Sequence, residues 1–222
     1  MKTIFFFAAV ATAALSSAQV TKNGNAYLFR MKYAPGMVLK YSVVSTIGGM
    51  SQNGQPMKFT LPMLWKVVSV KNGVSTVDTT VGPVSMGGGQ PMMQASKNTI
   101  KIDSRGQLVG QPGRGQQVTP ALPERPIRVG QSWSASAPVD LPMQGDKKIT
   151  ATYTFKGIKV VEGKQMAELG VKTGGQAPGS GTMLLMVKDG SLFRSQLKMD
   201  LQMTSPNGTA STYKVTAQIS RQ

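Results

Sequence analysis

Between Leu192 and Thr204 the chain alternates without a break. Phe193, Ser195, Leu197, Met199, Leu201 and Met203 fall on one side; Arg194, Gln196, Lys198, Asp200, Gln202 and Thr204 fall on the other. Successive side chains of a strand point to opposite faces, so this segment predicts a half-buried strand with its apolar side toward a core or cavity. Thr182–Lys188 precedes it, joined through Asp189-Gly190, a pair that tolerates the positive φ of a tight hairpin. After the turn Ser205-Pro206-Asn207-Gly208, Ser211–Ser220 alternates Tyr213, Val215, Ala217 and Ile219 against Thr212, Lys214, Thr216 and Gln218. These three segments predict an antiparallel meander.

The same alternation runs upstream. Strands are expected at Tyr27–Tyr33, Met37–Thr46, Met57–Val70, Val74–Val81, Asn98–Ile102, Gln107–Val109, Lys148–Lys159 and Gln165–Lys172. The turns Ala34-Pro35-Gly36, Lys71-Asn72-Gly73, Asp103-Ser104-Arg105-Gly106 and Glu162-Gly163-Lys164 separate several of them, and Gly48–Gln55 is a tip. Two stretches interrupt the alternation, 82–97 (Gly/Pro/Met) and 110–126 (Gly/Gln, then Pro). Pro blocks ladder donation and Gly loosens the backbone, so both read as loops. About ten short strands with few or no helices predict an all-β fold, a strongly curved, mostly antiparallel sheet forming a half-barrel or barrel-like meander.

The beginning of the chain differs in kind. Met1-Lys2 is a positive start, Ile4–Leu15 is apolar, and Ser16-Ser17-Ala18 places small residues before Gln19. That layout is a secretory signal peptide, residues 1–18, cut after Ala18. The expectation is an exported protein, periplasmic or secreted, with residues 19–222 as a single β domain. No later apolar run is long enough for a transmembrane helix. With no cysteine the chain forms no disulfides and offers no lipidation site after the cleavage point, so core and sheet must supply the stability.

Charge adds a second theme. Lys and Arg total 25 against 9 Asp and Glu, a net +16 that loss of Lys2 lowers by one. Such a field favours encounter with anionic polymers or headgroups. No run exceeds Lys147-Lys148, so the charges also read as scattered outward strand positions, and nucleic acid is not expected as a partner for an exported chain.

Catalytic chemistry is limited by what is missing. Without His or Cys, the commonest general base, the thiol nucleophile and the usual zinc ligands are absent. Asp103, Asp189 and Glu162 belong to turns and Asp200 points outward; Asp140 and Asp146 are the nearest remaining pair, in a loop context. Gly87-Gly88-Gly89 and Gly113-Arg114-Gly115 lack the Gly-Lys-Ser/Thr ending of a phosphate loop. No catalytic residue, metal or cofactor is predicted, and the chain reads as non-enzymatic. Fifteen methionines admit three readings: a pliable apolar cavity, thioether ligands for copper(I), or plain core filling. The cavity reading nominates Phe155, Leu185, Phe193, Leu197, Met199, Leu201 and Met203 as a lining for a hydrophobic small molecule or lipid. The alternative is a structural or adhesive module that docks acidic envelope glycan or anionic headgroups through its basic surface.

Four strings carry a resemblance: Tyr33-Ala34-Pro35-Gly36-Met37-Val38-Leu39-Lys40-Tyr41; Leu122-Pro123-Glu124-Arg125-Pro126-Ile127-Arg128-Val129-Gly130-Gln131-Ser132-Trp133; Tyr153-Thr154-Phe155-Lys156-Gly157; and Lys188-Asp189-Gly190-Ser191-Leu192. Together they resemble small exported bacterial domains of uncharacterised function. Such domains are similar in turn to the curved half-barrel of bacterial lipoprotein carriers and lipid-binding envelope proteins. The resemblance implies a concave apolar face and assigns no activity. The chain departs from the carriers in lacking evident helices to plug the concavity.

Overall fold

The computed structural model describes residues 20–49, 55–86, 91–110, 120–141, 145–175, 177–204 and 210–222. The leader, its cleavage point, the Ser205–Gly208 turn and both glycine triads lie wholly or largely outside these residues. The strands are β1 (Val20–Asn23), β2 (Ala26–Phe29), β3 (Val38–Gly48), β4 (Met57–Lys71), β5 (Val74–Val81), β6 (Val84–Met86) and β7 (Pro91–Met93). There follow β8 (Ser96–Asp103), β9 (Ser132–Leu141), β10 (Gly145–Val161), β11 (Lys164–Thr173), β12 (Gly179–Met186), β13 (Leu192–Thr204) and β14 (Ala210–Arg221). The fold is all-β and antiparallel throughout. Asn72-Gly73 and Glu162-Gly163 both hold positive φ at the two central positions, as two-residue hairpins require.

Some segments depart from expectation. Residues 82–97 are not one loop: β6 and β7 pair within them and β8 begins at Ser96. Gln107–Val109 makes a single bridge, Ile102 to Leu108, rather than a strand. Tyr27–Tyr33 is strand only to Phe29. β1 and β9 were not anticipated; β9 alternates Ser with Ala beyond Trp133, a contrast too weak to stand out. Residues 120–126 are irregular, as expected, and 111–119 lie outside the described residues.

The large sheet runs from β8 through β5, β4, β3, β14, β13, β12, β11 and β10 to β9, with β6 and β7 extending the far part of β4. Laid flat, its β8 and β9 edges would stand roughly 40 Å apart at the usual strand spacing. A single stretch of chain nevertheless touches both. Beyond β8, the Arg105 carbonyl accepts the Leu122 N–H at 2.8 Å. One residue away, the Ala121 carbonyl accepts the indole N–H of Trp133 on β9, also at 2.8 Å. The sheet is therefore curved until its edges approach, and residues 120–127 bridge the gap. Arg30 braces this bridge, donating to the carbonyls of Pro123 and Glu124 at 2.8 and 2.7 Å. Burial, and then the neighbouring Arg105 charge, lower its pKa.

The β1–β2 hairpin and residues 30–37 fill one end of the concavity. Val20 N–H donates to the Val187 carbonyl, Met31 to Ser104, Lys32 to Asp189 and Gly36 to Val67; Tyr27 and Ile127 exchange a bridge. Phe29, Met31 and Tyr33 are buried among Leu39, Tyr41, Trp65, Val67, Ile102, Leu122, Phe155, Leu169, Leu185 and Leu192 from the curved wall. Phe29 and Tyr27 both meet the Phe155 ring edge-on, 5.0 and 5.1 Å between centroids. A β-hairpin thus does the plugging for which the sequence offered no helix. Fit is close where plug meets wall: Gly190 holds φ 70°, and a Cβ there would press into the Arg30 carbonyl.

Candidate functional site

Beyond the plug, β3, β4, β13 and β14 continue as a four-stranded wing. Its inner face can be laid out in rows across the ladder. Leu61, Val43, Ile219 and Ser195 stand side by side; then Phe59, Ser45, Ala217 and Leu197; then Met57, Ile47, Val215 and Met199; then Tyr213 beside Leu201. Apart from buried Ser195, every one of these side chains is half-buried. Among them there is no charged group. Leu61, Val43, Ile219 and Leu197 still lean on the packed core; the outer rows do not. Ser45 and Ala217 are small, so the floor sinks between Phe59 and Leu197, which stand about 14 Å apart at three strand spacings.

β12 borders this face with Gly181 opposite Leu197 and Gly179 opposite Met199. A Cβ on Gly181 would press into the Gln196 carbonyl, and one on Gly179 into that of Lys198. The two backbones pack too closely for any side chain, which leaves the flank of Leu197 and Met199 unwalled.

The residues nominated from sequence divide four ways. Leu197, Met199 and Leu201 share the wing's inner face. Phe155 and Leu185 are fully buried in the plugged core. Met203 is paired within β13, opposite Ser211, but its side chain lies outside the described residues. Phe193 is the correction. The β12–β13 ladder shifts register between Leu184 and Leu185, pairing Leu184 with Arg194 but Leu185 with Leu192. Phe193 is the extra residue of this bulge and leaves the inner face. It packs instead with Met166, Leu184, Val161 and Met186, a separate cluster, under the cations of Lys164 and Arg194 at 5.6 and 5.4 Å from its ring.

Sequence reasoning passed over Met57, Phe59, Ile47, Val215 and Tyr213. Their alternation is visible in each strand alone. Their convergence depends on β14 returning to pair with β3, a long-range join that no local signal carries.

Where wing meets plug, the polar groups form a closed knot. Asp189 accepts from the backbone and hydroxyl of Ser191; Arg221 donates to Ser191 Oγ and Met186 Sδ, both at 2.8 Å, and stands 3.4 Å from Asp189. Burial pushes the Tyr33 phenol well above its usual pKa and raises that of Tyr41. Tyr33 donates to Met31 Sδ at 3.4 Å, while Tyr41 Oη and Trp65 Nε1 are buried with no partner among the described residues. The tyrosines and Trp65 are buried, whereas Asp189 and Arg221 are only partly so, and the bonds from Ser191 and Arg221 hold the Asp189-Gly190 turn in place. Among the described residues, no three acidic side chains lie close enough to hold a metal ion, and no helix is long and apolar enough to cross a membrane.

Comparison with known proteins adds little. No family model matches the chain. No curated protein matches it. Among solved structures, a DUF1329 family protein from Desulfovibrio piger aligns over 83% of this chain and 84% of its own, at 10% identity and a TM-score of 0.27.

Proposed function

We propose that this chain is an exported, non-enzymatic protein that holds a hydrophobic or lipidic ligand against the inner face of its wing. One observation carries the reading. Phe59, Ile47, Val215, Met199, Leu201 and Tyr213 form contiguous uncharged rows that stay half-buried, while the same face nearer the plug is packed dry. Covering apolar surface is favourable by about 25 cal/mol per Å². The sunken floor over Ser45 and Ala217 suits a chain lying along the strands, and methionine walls adapt to its shape. Export rests on the leader at residues 1–18. The non-enzymatic reading rests on the lack of His and Cys and on carboxylates spent in turns and ion pairs.

The test is native mass spectrometry on full-length chain expressed with its leader and purified without detergent. The expected result is a chain starting at Gln19 that carries an apolar adduct, or that takes up added palmitate after delipidation. Ala217→Phe, which fills the floor, should abolish that uptake. An adduct-free mass with no palmitate uptake by the wild-type chain would refute the proposal.

A further inference from the structure

The opposite face of the same sheet carries its own arrangement. Lys58 of β4, Lys198 of β13 and Lys172 of β11 lie in one row across the ladder. Thr46 and Thr216 stand between the first two, Ser180 between the second and third, and Thr152 with Ser134 continues the row to β9. All three lysines are exposed, and none enters an ion pair among the described residues. No acid interrupts the row. Its cations are spaced by about 14 and about 10 Å, three and two strand spacings. A shallow open cleft of about 470 Å³ cuts into it, lined by Ser180, Lys198 and Thr216 with Lys214 and Asp200 from the next row. Asp200 sits opposite Lys214 in that next row, outside the line of the three lysines.

We propose that this track binds an extended acidic polysaccharide, independently of any ligand on the inner face. Three properties select that partner. Hydroxyls alternate with ammonium groups, matching a polymer that presents both hydroxyls and carboxylates. No aromatic ring lies on the track, so stacking of single-stranded nucleic acid has no platform. The track runs around the outside of a curved sheet, which a flexible polymer can follow and a planar bilayer can touch only in part.

The experiment titrates the mature chain with polygalacturonate at low and physiological salt, with neutral dextran as control. Two charge-matched triple variants are compared: Lys58→Gln/Lys172→Gln/Lys198→Gln on the track, and Lys66→Gln/Lys97→Gln/Lys101→Gln near the β8 edge. Binding should weaken with salt. The track triple should lose about tenfold or more and the edge triple less than about threefold. Equal losses would show that net charge alone acts and overturn the track. Absence of polygalacturonate binding by the wild type would overturn it as well. So would tight binding to phosphatidylglycerol vesicles with the same dependence on the three track lysines. If the track triple does not fold, Lys198→Gln alone is read against Lys97→Gln.

Discussion

Strand β3 passes through two different environments. Leu39 and Tyr41 are almost fully buried beneath the N-terminal hairpin, whereas Val43, Ser45 and Ile47, on the same face, stay half-exposed. β13 repeats the contrast, with Leu192 buried and Leu197, Met199 and Leu201 half-exposed. The alternation is the same at both ends. What differs is the cover. Among the described residues, the hairpin, residues 30–37 and the bridge at 120–127 pack against one end of the concavity, so apolar side chains are buried there and half-exposed at the other.

Substitutions should separate the two ends. Phe155→Ala at the plugged end should lower the free energy of unfolding by about 4 kcal/mol, since two aromatic partners and a dry pocket lose their contact. Leu201→Ala in the wing should cost less than about 1 kcal/mol but weaken palmitate uptake, because its side chain is already half wet. Denaturant titration and ligand uptake check both, and equal destabilisation would erase the distinction. Next in size, Gly190→Ala should cost about 3 kcal/mol, combining a disfavoured φ with the clash on Arg30. Gly73→Ala, with φ 75° and open space, should cost only about 1 kcal/mol.

Alkaline pH should strike the plugged end. Burial raises the folded-state pKa of Tyr33, Tyr41 and Tyr153 above the ordinary phenol value of about 10. Below pH 10 both folded and unfolded states keep these protons, and the stability is intact. Above it the unfolded chain releases them first, so stability falls with rising pH by up to about 1.4 kcal/mol per unit for each tyrosine. Thermal melts between pH 9 and 11.5 should show this fall, and Tyr33→Phe should flatten it. The smallest effect is at Tyr41, whose hydroxyl is buried with no partner among the described residues. Tyr41→Phe should leave the melting temperature unchanged or raise it, since removing an unsatisfied buried hydroxyl is not penalised. A marked loss would mean that the hydroxyl has a partner in solution.

The strands were legible because each carries its own period of two, and the Asn72-Gly73 and Glu162-Gly163 turns because positive φ selects a short list of residues. The β12–β13–β14 meander followed from the same signals. β9 was hidden because Ser and Ala differ little in hydrophobicity. The plug was hidden because its role depends on reaching Asp189, Ser104 and Val67, residues far along the chain. Phe193 was misplaced because a bulge adds one residue without changing the composition around it. The site was half legible for a related reason: the face of β13 could be read from its alternation, but its neighbours Val215, Ile47 and Phe59 depend on sheet order.

Methionine itself offers the decisive reporter. Met57 and Met199 lie in the wing, while Met31 and Met63 lie in the plugged core. With ¹³C-methyl-methionine NMR on the delipidated chain, titration with a spin-labelled stearate should broaden the Met57 and Met199 signals while those of Met31 and Met63 stay sharp. Broadening of all four alike, or of none, would contradict a half-barrel filled at one end and open to a ligand at the other.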